Sequence, residues 1–128
     1  MSFLKNIFGS NEPQKEESKM VWFPLNEMDQ LNEIVVESNK NPVVIFKHST
    51  RCIISRTVLK NFEKTFDLED KVKPYFLDLL EFRPISNEIA SFFNVTHQSP
   101  QLIVVKNGKA VYNASHDNID VEDLKNYL

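Results

Sequence analysis

The sequence predicts an α/β fold: a mixed four-stranded sheet, with room for a fifth strand, and helices on both faces. Three observations predict it. The continuous apolar run at residues 43–46 and the largely apolar segments at 75–80 and 102–105 read as buried strands. A helical pattern separates the first two runs, so a right-handed crossover should make them parallel. Asn107-Gly108, set between apolar segments, is a strong signal for a type I′ hairpin, so the last two strands should be antiparallel.

The elements follow in order. Phe3, Leu4, Ile7 and Phe8 share one helical face ending at Gly9, and residues 10–19 are polar with Pro13 among them. Residues 1–20 are therefore expected to form a tail or linker, and residues 21–128 a single domain. The fifth strand, if formed, falls at residues 20–23. Asn26 is expected to cap a helix carrying Met28, Leu31, Ile34 and Val35, which Asn41-Pro42 ends. After the strand at 43–46, Ile54, Val58, Leu59, Phe62 and Phe66 form the apolar stripe of a second helix. Residues 67–72 read as a charged loop. Pro84 and Ser86 open a short helix bearing Ile89, Phe92 and Phe93. Residues 110–114 return from the hairpin. Asp117 and Asp120 offer caps for a closing helix at 121–128, with Leu124 and Leu128 inward.

Composition excludes several classes. The net charge of −3 gives no electrostatic footprint for nucleic acid. No apolar run reaches the ~18–20 residues of a membrane span. The N-terminus lacks the apolar core of a secretory signal, so a cytoplasmic location is expected. Two glycines cannot build a phosphate-cradling loop. One cysteine and three scattered histidines make no metal site, and no cofactor box is visible. His97 and His116 read as surface or loop residues.

The chemistry centres on Cys52, the only cysteine in the chain. It follows a buried strand and opens a helix, where the dipole and free N–H groups favour a thiolate. Arg51 is adjacent, and His48 is four residues back at the strand end. Each is expected to favour the thiolate further. Cys52-Ile53-Ile54-Ser55 is a C-x-x-S pattern, and positions i and i+3 share a helical face. Where a dithiol enzyme would hold its resolving cysteine, Ser55 offers a hydroxyl. It is expected to donate to the thiolate, and it cannot displace a mixed disulfide. Ser99-Pro100, just before a strand, is a candidate cis bond. If cis, it would sit opposite the helix start and leave the Ser99 backbone to pair with an incoming peptide or small thiol.

Ile45, Phe46, Lys47, His48, Ser49, Thr50, Arg51, Cys52, Ile53, Ile54 and Ser55 resemble a run in the YtxJ-type monothiol bacilliredoxins, which ends T-R-C-P-I-S. Ser99-Pro100-Gln101 and Ser115-His116 also resemble blocks of that family, and the similarity extends from about Trp22 to the C-terminus. The resemblance implies a thioredoxin-like fold and monothiol thiol–disulfide exchange. Cys52 would be the nucleophile, Ser55 would stand at the vacant resolving position, and Pro100 would be a cis-proline. Arg51 would support catalysis, with His48, Thr50, Ser99 and Pro100 on the substrate side. The implied partners are S-thiolated client proteins. The co-substrate would be a low-molecular-weight thiol such as bacillithiol, in redox homeostasis and stress response, and a monomer is expected. Ile53 departs from the family's proline, which restores an N–H donor and removes a rigid φ. Two other readings stay open: a non-catalytic adaptor with the same fold, working through its apolar tail, or a redox sensor whose thiol is capped without turnover.

Overall fold

A computed structural model of the chain describes residues 20–128; the apolar face at Phe3 to Phe8 and the polar stretch at 10–19 lie outside the described residues. The elements are β1 (Phe23–Pro24), α1 (Gln30–Ser38), β2 (Val43–His48), α2 (Ile53–Thr65), β3 (Lys73–Asp78), α3 (Arg83–Phe92), β4 (Gln101–Lys106), β5 (Lys109–Ser115) and α4 (Val121–Leu124). The sheet order is β1-β3-β2-β4-β5. β1 and β2 each run parallel to β3, whereas β4 is antiparallel to both β2 and β5. This is the expected mixed sheet, with the fifth strand present as two residues rather than four.

β2 is central, and all six of its residues are buried. Val43 and Ile45 pack with Leu31, Ile34, Ile85 and Ile89, the inward stripes of α1 and α3. Val44 and Phe46 pack on the other face with Val58, Phe62, Val121 and Leu124 from α2 and α4. Helices on both faces explain why the strand reads as an unbroken apolar run. Along β4 and β5 the register shifts between Val104 and Val105, which pair with Tyr112 and Ala110. Val111 is the extra residue and is exposed. The bulge turns Ala110 to one core and Tyr112 to the other.

Several local expectations are corrected. The N-cap of α1 is Asp29, not Asn26. Gln30 does the capping work from inside: its Oε1 accepts the N–H groups of Asn26 and Glu27, both at 2.8 Å. Met28 is consequently exposed. Ile54 and Phe92 also face solvent, because Ile53–Thr65 and Arg83–Phe92 turn Ser55, Val58 and Phe62, and Ile85, Ser86 and Ile89, toward the sheet instead. The closing helix is α-helical only over Val121–Leu124 and tightens into a 3₁₀ turn at Lys125–Tyr127. Asp120 caps it, accepting the Glu122 N–H at 2.9 Å.

The Asn107-Gly108 turn forms as expected, with both residues at positive φ (53° and 78°). Its tip is tied to the end of α1. The Gly108 N–H donates to the buried Ser38 Oγ at 2.8 Å, and that hydroxyl donates to the Val35 carbonyl at 2.7 Å. Ser38→Ala is expected to strand the Gly108 N–H and cost about 1–3 kcal/mol of stability, measured by urea unfolding.

Candidate active site

β2 ends at His48, and a four-residue turn carries the chain into α2. Cys52 is the N-cap of α2, with extended backbone (φ −101°, ψ 121°). Its carbonyl accepts the Arg56 N–H at 3.0 Å, the first bond of the helix, and its own N–H donates to the Ser49 carbonyl at 3.2 Å. The cysteine is half-buried. The first-turn N–H groups of a thirteen-residue helix lie beside it, a setting that favours negative charge. Thr50 and Arg51 are exposed in the turn. Ile53 and Ile54, 70% and 55% exposed, form an apolar shoulder in the first turn after the thiol. They border a cleft of ≈ 270 Å³ shared with Val58 and Ile119.

Ser55 and His48 depart from expectation. Ser55 is fully buried, and its Oγ lies 2.8 Å from His48 Nδ1 and accepts the Ser49 N–H at 3.0 Å. The expected bond to the thiolate is not among these. The serine at the resolving position instead fastens the first turn of α2 to the end of β2. His48 was expected to lend positive charge. It is buried, and desolvation holds it below its ordinary value of 6.5; Asp78 opposes this and Arg56 adds to it. It is therefore mostly neutral at pH 7 and does not supply that charge.

The Ser99-Pro100 bond is cis. Lys47 pairs across the sheet with Gln101, so Pro100 stands next in register, beside His48. Pro100 is buried and its carbonyl accepts the N–H of His116 at 3.0 Å. The Ser99 Oγ is buried with no hydrogen-bond partner among the described residues. The sheet thus brings His48, the 49–52 turn and Ser99-Pro100 to one end.

Two residues here were missed in the sequence. Lys47 is fully buried, and its Nζ lies 3.0 Å from Nδ1 of His97. Burial pushes Lys47 down to about 8 from 10.5. A lysine inside a strand covered on both faces was the available signal; nothing local indicated His97 as its partner.

This geometry, a half-buried cysteine at a helix start with a cis-proline at the same end of a mixed sheet, is that of a thioredoxin-fold oxidoreductase site. A solved structure described as a candidate oxidoreductase with a thioredoxin fold is 33% identical, with a TM-score of 0.71 over 83% of this chain and 92% of that one. Thioredoxin of Malassezia sympodialis matches at 20% identity and a TM-score of 0.65, covering 90% of this chain and 94% of its own. Mitochondrial thioredoxin 3 of Saccharomyces cerevisiae matches at 16% and 0.63, over 82% and 91%. These two share the fold. Residues 23–124 match the monothiol bacilliredoxin BrxC family, and the chain belongs to it. It is a monothiol thiol–disulfide oxidoreductase.

Two buried bases contribute to the pH dependence of stability. Below pH 6.5 the unfolded chain binds a proton at His48 that the folded chain resists, so stability is lost as pH falls through 6.5. Between about 8 and 10.5 the unfolded chain holds more protons at Lys47, so stability from this group rises with pH there. Urea midpoints across pH 5–11 are expected to show both slopes, and subtraction of a Lys47→Met series should isolate the upper one.

Proposed function

We propose that this oxidoreductase removes a low-molecular-weight thiol, bacillithiol, from mixed disulfides on client proteins. The observation that carries the reading is the single thiol at the N-cap of α2, three residues before a serine that is already committed elsewhere. The Cys52 thiolate attacks the small-thiol sulfur of the client disulfide. A new S–S bond forms between Cys52 and the small thiol, and the client leaves as its thiolate and takes a proton from solvent. With no second cysteine in the chain, the mixed disulfide on Cys52 waits for an external thiol, which departs joined to the small thiol and restores the nucleophile.

The remaining site residues take roles in this scheme. Arg51, exposed beside the thiol, meets an acidic group on the small thiol, and Thr50 lines the same turn. Ser99 and Pro100 receive the client backbone next to the end of β2. The apolar shoulder of Ile53 and Ile54 gives the client side chains a surface to cover. No helix among the described residues is long and apolar enough to cross a membrane. A monomer working on cytoplasmic clients, during recovery from oxidative stress, fits this chemistry, with no cofactor beyond the small thiol.

Cys52→Ser is expected to abolish release of bacillithiol from a client while leaving the urea midpoint close to that of the wild type. Turnover by that variant, followed by mass spectrometry of the client, would rule out the mechanism. Ser55→Cys is expected to form an internal disulfide with Cys52 under mild oxidant, read as the loss of two free thiols. Persistence of both thiols would show that positions 52 and 55 do not meet.

A further inference from the structure

The segment that brings Ser99 and Pro100 to the active end of the sheet is irregular from residue 95 to residue 100. Two fully buried polar side chains hold it, and they are cross-strand partners, Lys47 on β2 and Gln101 on β4. Gln101 grips the backbone: its Nε2 donates to the Thr96 carbonyl at 2.9 Å and to Asn113 Oδ1 at 3.3 Å, while its Oε1 accepts the Gln98 N–H at 3.3 Å. Lys47 reaches the residue between them, through the 3.0 Å contact to His97 Nδ1.

A glutamine gripping backbone is an ordinary structural device. A lysine with no exposed surface is not, because burying an ammonium is costly unless it is hydrogen-bonded. An apolar residue at position 47 would fill the same space without that cost. We propose that Lys47 is a positioning residue for the exchange reaction: through His97 it fixes the 96–99 backbone that meets the client disulfide beside Cys52.

The proposal rests on the exchange reading above and extends it to a residue that touches neither thiol nor client. The charge states fit. Lys47, at about 8, is mostly an ammonium at pH 7. Burial, with Lys47 and Arg83 nearby, lowers His97, which is therefore mostly neutral and offers Nδ1 as an acceptor. The contact is then a charge-assisted N–H to imidazole bond, stronger than a neutral one. His97 itself is exposed, so its ring is anchored through this bond rather than by burial. Lys47 directly precedes His48, whose ring is bonded to Ser55 on the other face of the sheet. Consecutive residues of one strand thus hold the two segments that enclose the reacting sulfur.

The test uses the full-length chain and a peptide carrying a bacillithiol mixed disulfide. Lys47→Met and His97→Leu are each expected to raise KM for the peptide about tenfold, the equivalent of one hydrogen bond to a charged group, with kcat within about twofold. The double variant should be no worse than either single one, and His97→Gln, which keeps an acceptor, should restore most of the loss. Backbone amides of residues 96–99 should exchange several-fold faster in Lys47→Met. Wild-type KM in that variant, additive losses in the double variant, or equal losses in His97→Gln and His97→Leu would each overturn the proposal. If the wild type itself fails to turn the peptide over, the exchange reading falls. Amide exchange then decides alone whether Lys47 holds the segment, and unchanged exchange overturns that too.

Discussion

The position of the reactive sulfur depends on the hydrogen bonds that Ser55 makes inside the protein. A helix that follows a strand through a four-residue turn has many ways to tilt. Here the first turn of α2 is held to the end of β2 by one buried oxygen, shared between the His48 ring and the Ser49 amide. Leaving either partner unpaired in a buried setting costs more than the bond itself gains, so the arrangement is strongly specified. Cys52 lies between the two anchored points and is set by both. A monothiol protein has no chemical use for a second sulfur at position 55, and the hydroxyl there serves geometry instead.

The same economy explains the electrostatics. His48 could have been a cation beside the thiol, but the packing that fixes its ring also desolvates it. Structure and charge compete for the same side chain, and burial wins. The start of α2 at Cys52 remains near solvent, where a helix terminus favours negative charge. Ile53 brings a backbone N–H to that terminus and an exposed apolar side chain beside it.

A thiol–disulfide enzyme must present its sulfur to many clients while keeping the approach geometry narrow. The fold meets both demands by putting exposed, partly apolar residues around a half-buried cysteine and buried polar ties beneath it. Those ties run through β2 and β4, the two strands most completely buried.

Much of this was legible in the sequence, and the reason is locality. The buried strands, the hairpin at Asn107-Gly108, the junction that places Cys52 at a helix start and the absence of a second cysteine all follow from periodicity, turn chemistry and counting within a few residues. Helix boundaries and exposed faces were less legible, as Asn26, Ile54 and Phe92 show, because they depend on which neighbour covers which side. Partnerships were decided by the tertiary structure alone. Ser55 meets His48 across seven residues, and Lys47 meets His97 across fifty. Such pairs arise only when separate elements are packed together, and packing also sets the desolvation that decides which of their protons remain. By itself the sequence determined where the sulfur stands along the chain; the tertiary structure decided what holds it there and which of its neighbours carry charge.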